Sequence, residues 1–156
     1  MKIYAAYGSN INLEQMLRRC PRVVPIGKGW LMNYHLLFRG YGSVGVATVE
    51  PRKGRRVPIL LWAITGESEV ALDHYEGFPT LYLKETVKVE GMEWQPNQTI
   101  PHDTVPNVSA MIYVMNHGHL ALPSQTYLDC IKNGYRILGF HQRYLSEAVR
   151  FVKRNP

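Results

Sequence analysis

The chain has 156 residues, 46% apolar and 19% charged, with 18 Lys+Arg against 12 Asp+Glu and a formal net charge of +6. That length suits one domain able to bury roughly two-thirds of its open-chain surface, so disulfide or metal staples are not needed and intrinsic disorder is excluded. No run approaches the ~18 apolar residues that span a bilayer, and the first eight residues lack the apolar stretch of a signal peptide, so a single domain over residues 1–156, soluble and cytoplasmic with no membrane partner, is expected.

Lys2–Tyr7 is short, apolar-rich and ends at Gly8-Ser9, which reads as a strand. Asn12, with Gln15 three residues on, is an N-cap signal for a helix over Leu13–Arg19. Strand-type runs follow at Val23–Trp30, Tyr34–Arg39, Val46–Val49 and Val57–Ile64, separated by Gly, Pro and Asn. Arg52-Lys53-Gly54-Arg55-Arg56, the densest basic group, follows Pro51 and reads as a solvated hairpin tip. Thr65-Gly66-Glu67 opens a helix that ends with Gly77 as its C′ residue. A strand over Tyr82–Glu90 alternates Leu83, Val87 and Val89 against Lys84, Thr86 and Lys88. Pro96, Pro101 and Pro106 make the next stretch a long loop suited to a lid, and Ala110–Met115 is a further strand. Two helices close the chain: one capped by Ser124, with Tyr127, Leu128, Ile131, Tyr135 and Leu138 at three-to-four spacing, then one carrying Tyr144, Leu145, Ala148, Val149 and Val152. Many strands with few helices, out of simple β-α alternation, indicate an α+β domain with a largely antiparallel, barrel-like sheet.

Several motifs dissolve on inspection. Gly40-Tyr41-Gly42-Ser43-Val44-Gly45 fits G-x-G-x-x-G, yet a strand-like run follows where a nucleotide site needs a helix, so it reads as a turn between strands. His117-Gly118-His119 has no Asp, Glu or Cys nearby to complete a metal set. Cys20 and Cys130 are far apart and outside any C-x-x-C pattern, so they are expected as reduced thiols. The Asn97 and Asn107 glycosylation patterns have no meaning in a chain that is not exported. Ser9 lies on a strand-to-helix turn without a nucleophile elbow around it.

Two places keep chemical interest. Tyr7–Asn10 supplies consecutive backbone N–H groups before a helix start, with Gly8 free to take tight or positive-φ geometry, a cradle for a carboxylate or an oxyanion. Glu76 ends a helix directly before Gly77, among Leu72, Tyr75, Phe78 and Leu81. The helix dipole and desolvation would both raise its pKa, which suits proton transfer near neutral pH.

Taken in order, Tyr7-Gly8-Ser9-Asn10, Leu72-Asp73-His74-Tyr75-Glu76-Gly77, Tyr82-Leu83-Lys84 and Pro123-Ser124-Gln125-Thr126-Tyr127 resemble the gamma-glutamylcyclotransferase-like family. Arg19-Cys20-Pro21 and Tyr34-His35-Leu36-Leu37-Phe38 resemble it too, so the likeness spans most of the chain. The resemblance implies a small mixed β-barrel flanked by helices. It implies an enzyme in which the α-amine of a γ-glutamyl group attacks its own γ-carbonyl, giving 5-oxoproline and a freed amine, amino acid or peptide, as in glutathione metabolism. By motif position Glu76 is the catalytic acid/base, Tyr7, Gly8, Ser9 and Asn10 the substrate-holding loop, and Tyr82 and Tyr127 tyrosines of the pocket. Lys84 departs from the family, which often has Arg there: it keeps the charge but loses the bidentate fork.

Such a cyclisation needs no external nucleophile and no metal or organic cofactor. Its attacking group is an ammonium of pKa about 8, which must first lose a proton, and one carboxylate can take that proton and return it to the leaving amine. The expected partner is a small anionic γ-glutamyl substrate, with no nucleic acid, and a monomer or homodimer. The competing reading is a non-catalytic module that keeps the pocket for a small carboxylate.

Overall fold

In the computed structural model, residues 2–91, 107–115 and 117–156 are described. The chain runs β1 (Lys2–Ala6), a 3-10 turn (Ser9–Ile11), α1 (Leu13–Arg19), β2 (Val24–Gly40), β3 (Val46–Ile64), α2 (Gly66–Glu76), β4 (Tyr82–Gly91), β5 (Asn107–Met115), β6 (His119–Leu120), α3 (Gln125–Leu138) and α4 (Arg143–Arg154). The sheet order β3-β1-β5-β4-β2-β6 closes through a further β3–β2 pairing, so five strands form a barrel and β6 hangs on its β2 edge. Among the described residues only β1 and β5 pair in parallel; the other strand pairs are antiparallel. This is the mixed α+β barrel expected from the sequence. No helix among the described residues is long and apolar enough to cross a membrane.

The four short runs expected between residues 23 and 64 are two long strands. Their chain reversal is the glycine-rich turn of residues 41–45, as expected, whereas the basic group is not a hairpin tip. Arg52–Arg55 bulge out of β3 instead: the register jumps from Met32↔Arg56 to Tyr34↔Pro51, leaving Asn33 alone opposite the extra residues. Asn33 takes a left-handed φ of 63° and its Oδ1 accepts the Gly54 N–H at 3.0 Å, which absorbs the break locally and lets both strands continue. On β4, Val87 and Val89 are buried as expected but Leu83 is 40% exposed. Tyr82 is the residue turned inward at that end. The Pro-rich stretch at 92–106 lies outside the described residues, as does the glycosylation pattern at Asn97.

Caps set the helix ends that matter. Asn12 Oδ1 accepts the Gln15 N–H at 3.1 Å, Thr65 Oγ1 the Ser68 N–H at 3.1 Å, and Ser124 Oγ the Tyr127 N–H at 3.2 Å. At the end of α2, Phe78 N–H reaches the Asp73 carbonyl at 2.9 Å and Gly77 N–H the His74 carbonyl at 3.3 Å, with Gly77 at φ 68°. This paired cap stops the helix at Glu76 and swings the chain toward β4. The core fills the barrel around Trp62, Tyr113, Phe38 and Leu60, and α3 seals one end by laying Gly134 against the 3-10 turn. A Cβ on Gly134 would stand 2.6 Å from Ile11 Cγ2 and 3.1 Å from the Asn12 nitrogen. Gly77→Ala is expected to cost about 1–2 kcal/mol in urea unfolding, because an L side chain is strained in the left-handed region. An unchanged unfolding midpoint would remove Gly77 as the stop of α2.

Candidate active site

The 3-10 turn crosses the mouth of the barrel directly after β1, and its Asn10 is 2% exposed. Every polar group of that side chain is committed. Arg19, a pure donor, fixes the amide orientation by donating to Oδ1, so Nδ2 points away, donating to Tyr4 Oη at 2.9 Å and to Glu76 Oε1 at 3.2 Å. The Asn10 carbonyl accepts the buried Trp62 indole N–H at 3.1 Å. Arg19 also donates to Ser9 Oγ at 3.1 Å, Gln15 Oε1 at 2.6 Å and the Tyr75 hydroxyl, with its guanidinium 3.4 Å from the Tyr75 ring centre. This lashes α1, the turn and α2 together behind the carboxylate.

Glu76 opens into a cavity of about 240 Å³. All seven residues singled out in the sequence meet there: Tyr7, Gly8, Ser9, Asn10, Glu76, Tyr82 and Tyr127. Tyr4, Tyr75, Tyr113 and Leu81, which carried no expectation as lining residues, line it as well. The carboxyl is raised to about 7, chiefly by burial, against the opposing pull of Arg19 and the Asn10 hydrogen bond. Five of the six lining phenols, those of Tyr4, Tyr7, Tyr82, Tyr113 and Tyr127, are pushed above the ordinary tyrosine value by burial, so they stay neutral near pH 7. Among the described lining residues no Lys or Arg opens into the cavity.

The partners of these phenols set what each can offer. Tyr82 donates to the Ala47 carbonyl at 2.7 Å and Tyr7 to the Tyr113 carbonyl, so their protons are spent. Tyr113 donates to Asp73 Oδ1 at 2.6 Å. Tyr127 instead accepts the Ala47 N–H at 2.9 Å, and Tyr4 accepts from Asn10, which leaves both their protons for a ligand. Gly8 does not use positive φ: it sits at −109°, and what it provides is room, since a Cβ would lie 3.1 Å from Ala47 Cβ and 3.4 Å from the Tyr127 hydroxyl.

Lys84 stands outside the cavity wall. Its Nζ pairs with Glu69 at 2.7 Å and Asp73 at 2.8 Å, while Lys2 holds Glu69 at 2.8 Å. Glu69, Asp73 and Glu76 lie at i, i+4 and i+7 on α2, so these pairs anchor the face that ends in Glu76. His119 Nε2 lies 2.7 Å from the Gly42 carbonyl, and no group of three or more metal-ligating side chains occurs among the described residues. Both cysteines are free.

Residues 4–134 match the family model described as gamma-glutamyl cyclotransferase, AIG2-like. The chain belongs to this family. No curated protein matches it in sequence. Among solved structures, one titled gamma-glutamyl cyclotransferase is 23% identical with a TM-score of 0.79, covering 94% of this chain and 85% of that one. An uncharacterised human protein is 24% identical with a TM-score of 0.78 over the same shares. An aig2-like protein from Mus musculus is 18% identical with a TM-score of 0.54, covering 82% of each chain. At these identities the structural likeness establishes the fold.

The sequence shows Arg19 only within the Arg19-Cys20-Pro21 motif, without a role in the site, because its bonds to Ser9, Asn10 and Tyr75 reach other elements. Tyr4 and Tyr7, three apart, would face opposite sides of a strand; both reach the cavity because the strand ends at Ala6. The raised Glu76 value has a stability consequence. A carboxyl with a folded pKa above its unfolded value costs nothing below about pH 4 and costs most once pH passes about 7. Glu76→Gln, which keeps the Asn10 hydrogen bond, is therefore expected to stabilise the fold by roughly 2–3 kcal/mol at alkaline pH and by little near pH 4. Equal effects at both pH values in urea titrations would contradict this placement.

Proposed function

We propose that the chain cyclises γ-glutamyl conjugates to 5-oxoproline, with Glu76 as the single acid/base. The observation that supports this most is the shared cavity: a carboxyl raised to about 7 lies 3.2 Å from the Asn10 amide, among neutral phenols. The family supports the general reaction type.

In this reading Glu76 removes a proton from the α-ammonium of the substrate. The freed lone pair attacks the γ-carbonyl carbon, closing a five-membered ring and placing negative charge on the carbonyl oxygen. Glu76 returns its proton to the departing nitrogen as the bond from that carbon breaks, and the extra proton still on the ring nitrogen passes through the same carboxylate to the freed amine, leaving a neutral lactam and an ammonium. Atoms balance without water: the α-nitrogen replaces the leaving nitrogen on the γ-carbonyl carbon, an intramolecular acyl transfer. A carboxyl near pKa 7 is matched to both transfers, worth about 10²–10⁴-fold. Folding the substrate so that amine and carbonyl meet supplies a comparable or larger share.

With no cation among the described lining residues, the substrate's α-carboxylate falls to the Gly8–Asn10 backbone N–H groups and to the Tyr127 or Tyr4 hydroxyl. The leaving amine or peptide would extend toward the mouth, past Leu81 and Val46.

The test is a panel of γ-glutamyl amines, γ-glutamyl amino acids and glutathione, read by released 5-oxoproline. Glu76→Gln is expected to lower turnover at least about 100-fold while the fold persists. The wild-type rate is expected to rise with pH through an apparent pKa near 7, as the base ionises. Thermal stabilisation by these compounds without any product would identify a binding module and end the catalytic reading. Tyr127→Phe removes one donor and orphans the Ala47 N–H, and is expected to lower kcat/KM by roughly 5- to 30-fold. Unchanged kinetics would take Tyr127 out of the site.

A further inference from the structure

A second cavity, of about 290 Å³, lies between the β3 bulge and α4 and shares no lining residue with the Glu76 cavity. Arg52 and Arg55 enter it from the bulge, Arg56 from β3 directly after it, and Arg150 and Arg154 from α4. Five arginines thus stand against one lining carboxylate, Glu147, a surplus of four positive charges in a chain whose whole net charge is +6. Glu147 satisfies only Arg55, at 2.7 Å. Among the described residues no carboxylate pairs with Arg52, Arg56, Arg150 or Arg154.

The arrangement is built rather than merely crowded. Arg56 lies over the Trp30 ring at 3.7 Å and its Nε donates to the Tyr144 hydroxyl at 3.3 Å. Arg52 stands 5.8 Å from the Phe151 ring centre. Aromatic faces hold guanidinium planes while leaving edge N–H groups free to donate. On α4, Glu147, Arg150, Phe151 and Arg154 recur at helical spacing on the face that meets the bulge. The bulge itself exists because Asn33 and Gly54 accommodate the extra residues. His35, edge-on to Phe151 at 5.4 Å, has its pKa lowered by burial first and then by Arg52, which is consistent with a positive field.

We propose that this groove binds a compact polyphosphate, a di- or triphosphate either free or as the terminal group of a nucleotide. Planar guanidinium forks match phosphoryl oxygens in bidentate fashion, and four unmatched charges converging on one cavity call for several negative charges in a small volume. A monocarboxylate would neutralise one of them. A nucleic-acid strand needs a basic track along the surface, whereas this charge is gathered into one hollow.

The test uses the intact protein and calorimetric titration at about 150 mM salt, where weak surface attraction is screened. Tripolyphosphate is expected to bind with one-to-one stoichiometry, and acetate is not. Arg52→Gln combined with Arg150→Gln is expected to weaken tripolyphosphate at least about tenfold, Lys substitutions at both places to weaken it less, and Lys88→Gln on the outside of β4 to change it less than about twofold. Should the double Gln variant not fold, Arg154→Gln near the end of α4 carries the same comparison. Adenosine triphosphate binding more tightly than tripolyphosphate names a nucleotide as the source, and equal affinity names the phosphate chain alone; both sustain the proposal. Absence of saturable binding, an equal loss in Lys88→Gln, or binding of a single-stranded oligodeoxythymidine that tripolyphosphate fails to displace would overturn it.

Discussion

The Asn10 side-chain amide is the point on which the inner site turns. One face of it is held by Arg19, the other by Tyr4 and Glu76, and its own backbone carbonyl by the Trp62 indole. Because Arg19 can only donate, the amide has a single orientation, and that orientation presents N–H to the carboxylate. The hydrogen bond and the guanidinium behind it favour the ionised acid, while burial opposes ionisation more strongly. Without the two polar neighbours the acid would be still harder to ionise; without burial those neighbours would hold it below the ordinary glutamate value. Its value near neutrality is a balance between these opposed influences.

That balance needs Glu76 in one place, and α2 supplies it by two independent means. The cap at Gly77 determines where the helix stops, and the Lys84 pairs with Glu69 and Asp73 determine how it rolls on the barrel. A lysine serves here because the two carboxylates lie on successive turns and a point charge can reach both. Tyr113 ties the same Asp73 to β5, so the helix is referenced to the strand next to β1, which carries Tyr4.

Local signals made much of this legible from the residues alone. The caps at Asn12, Thr65 and Ser124, the glycine after Glu76 and the apolar spacing of α3 and α4 are short-range patterns whose physics is complete within a few residues. The seven site residues came from ordered motifs, and the geometry gathers all of them around one hollow. What the sequence hid depends on contacts between distant segments. Pro51–Arg56 carries the residues of a chain reversal, yet pairing with β2 on both sides outweighs them and leaves a bulge. Arg19 reaches Tyr75 across 56 residues and Tyr113 reaches Asp73 across 40. The basic groove joins segments about a hundred residues apart, so neither half announces the other.

Ala47 carries a consequence for the barrel's edge. It faces Phe38 on β2, yet its N–H and carbonyl are taken by Tyr127 and Tyr82, so both backbone groups point away from that strand. Two side chains here do the work a neighbouring strand would do. The seam is chemically finished but left physically ajar, and no foreign strand can zip onto Ala47 without first displacing two phenols. The wall of the Glu76 cavity thus carries its backbone hydrogen bonds through side chains at Ala47 rather than through a neighbouring strand.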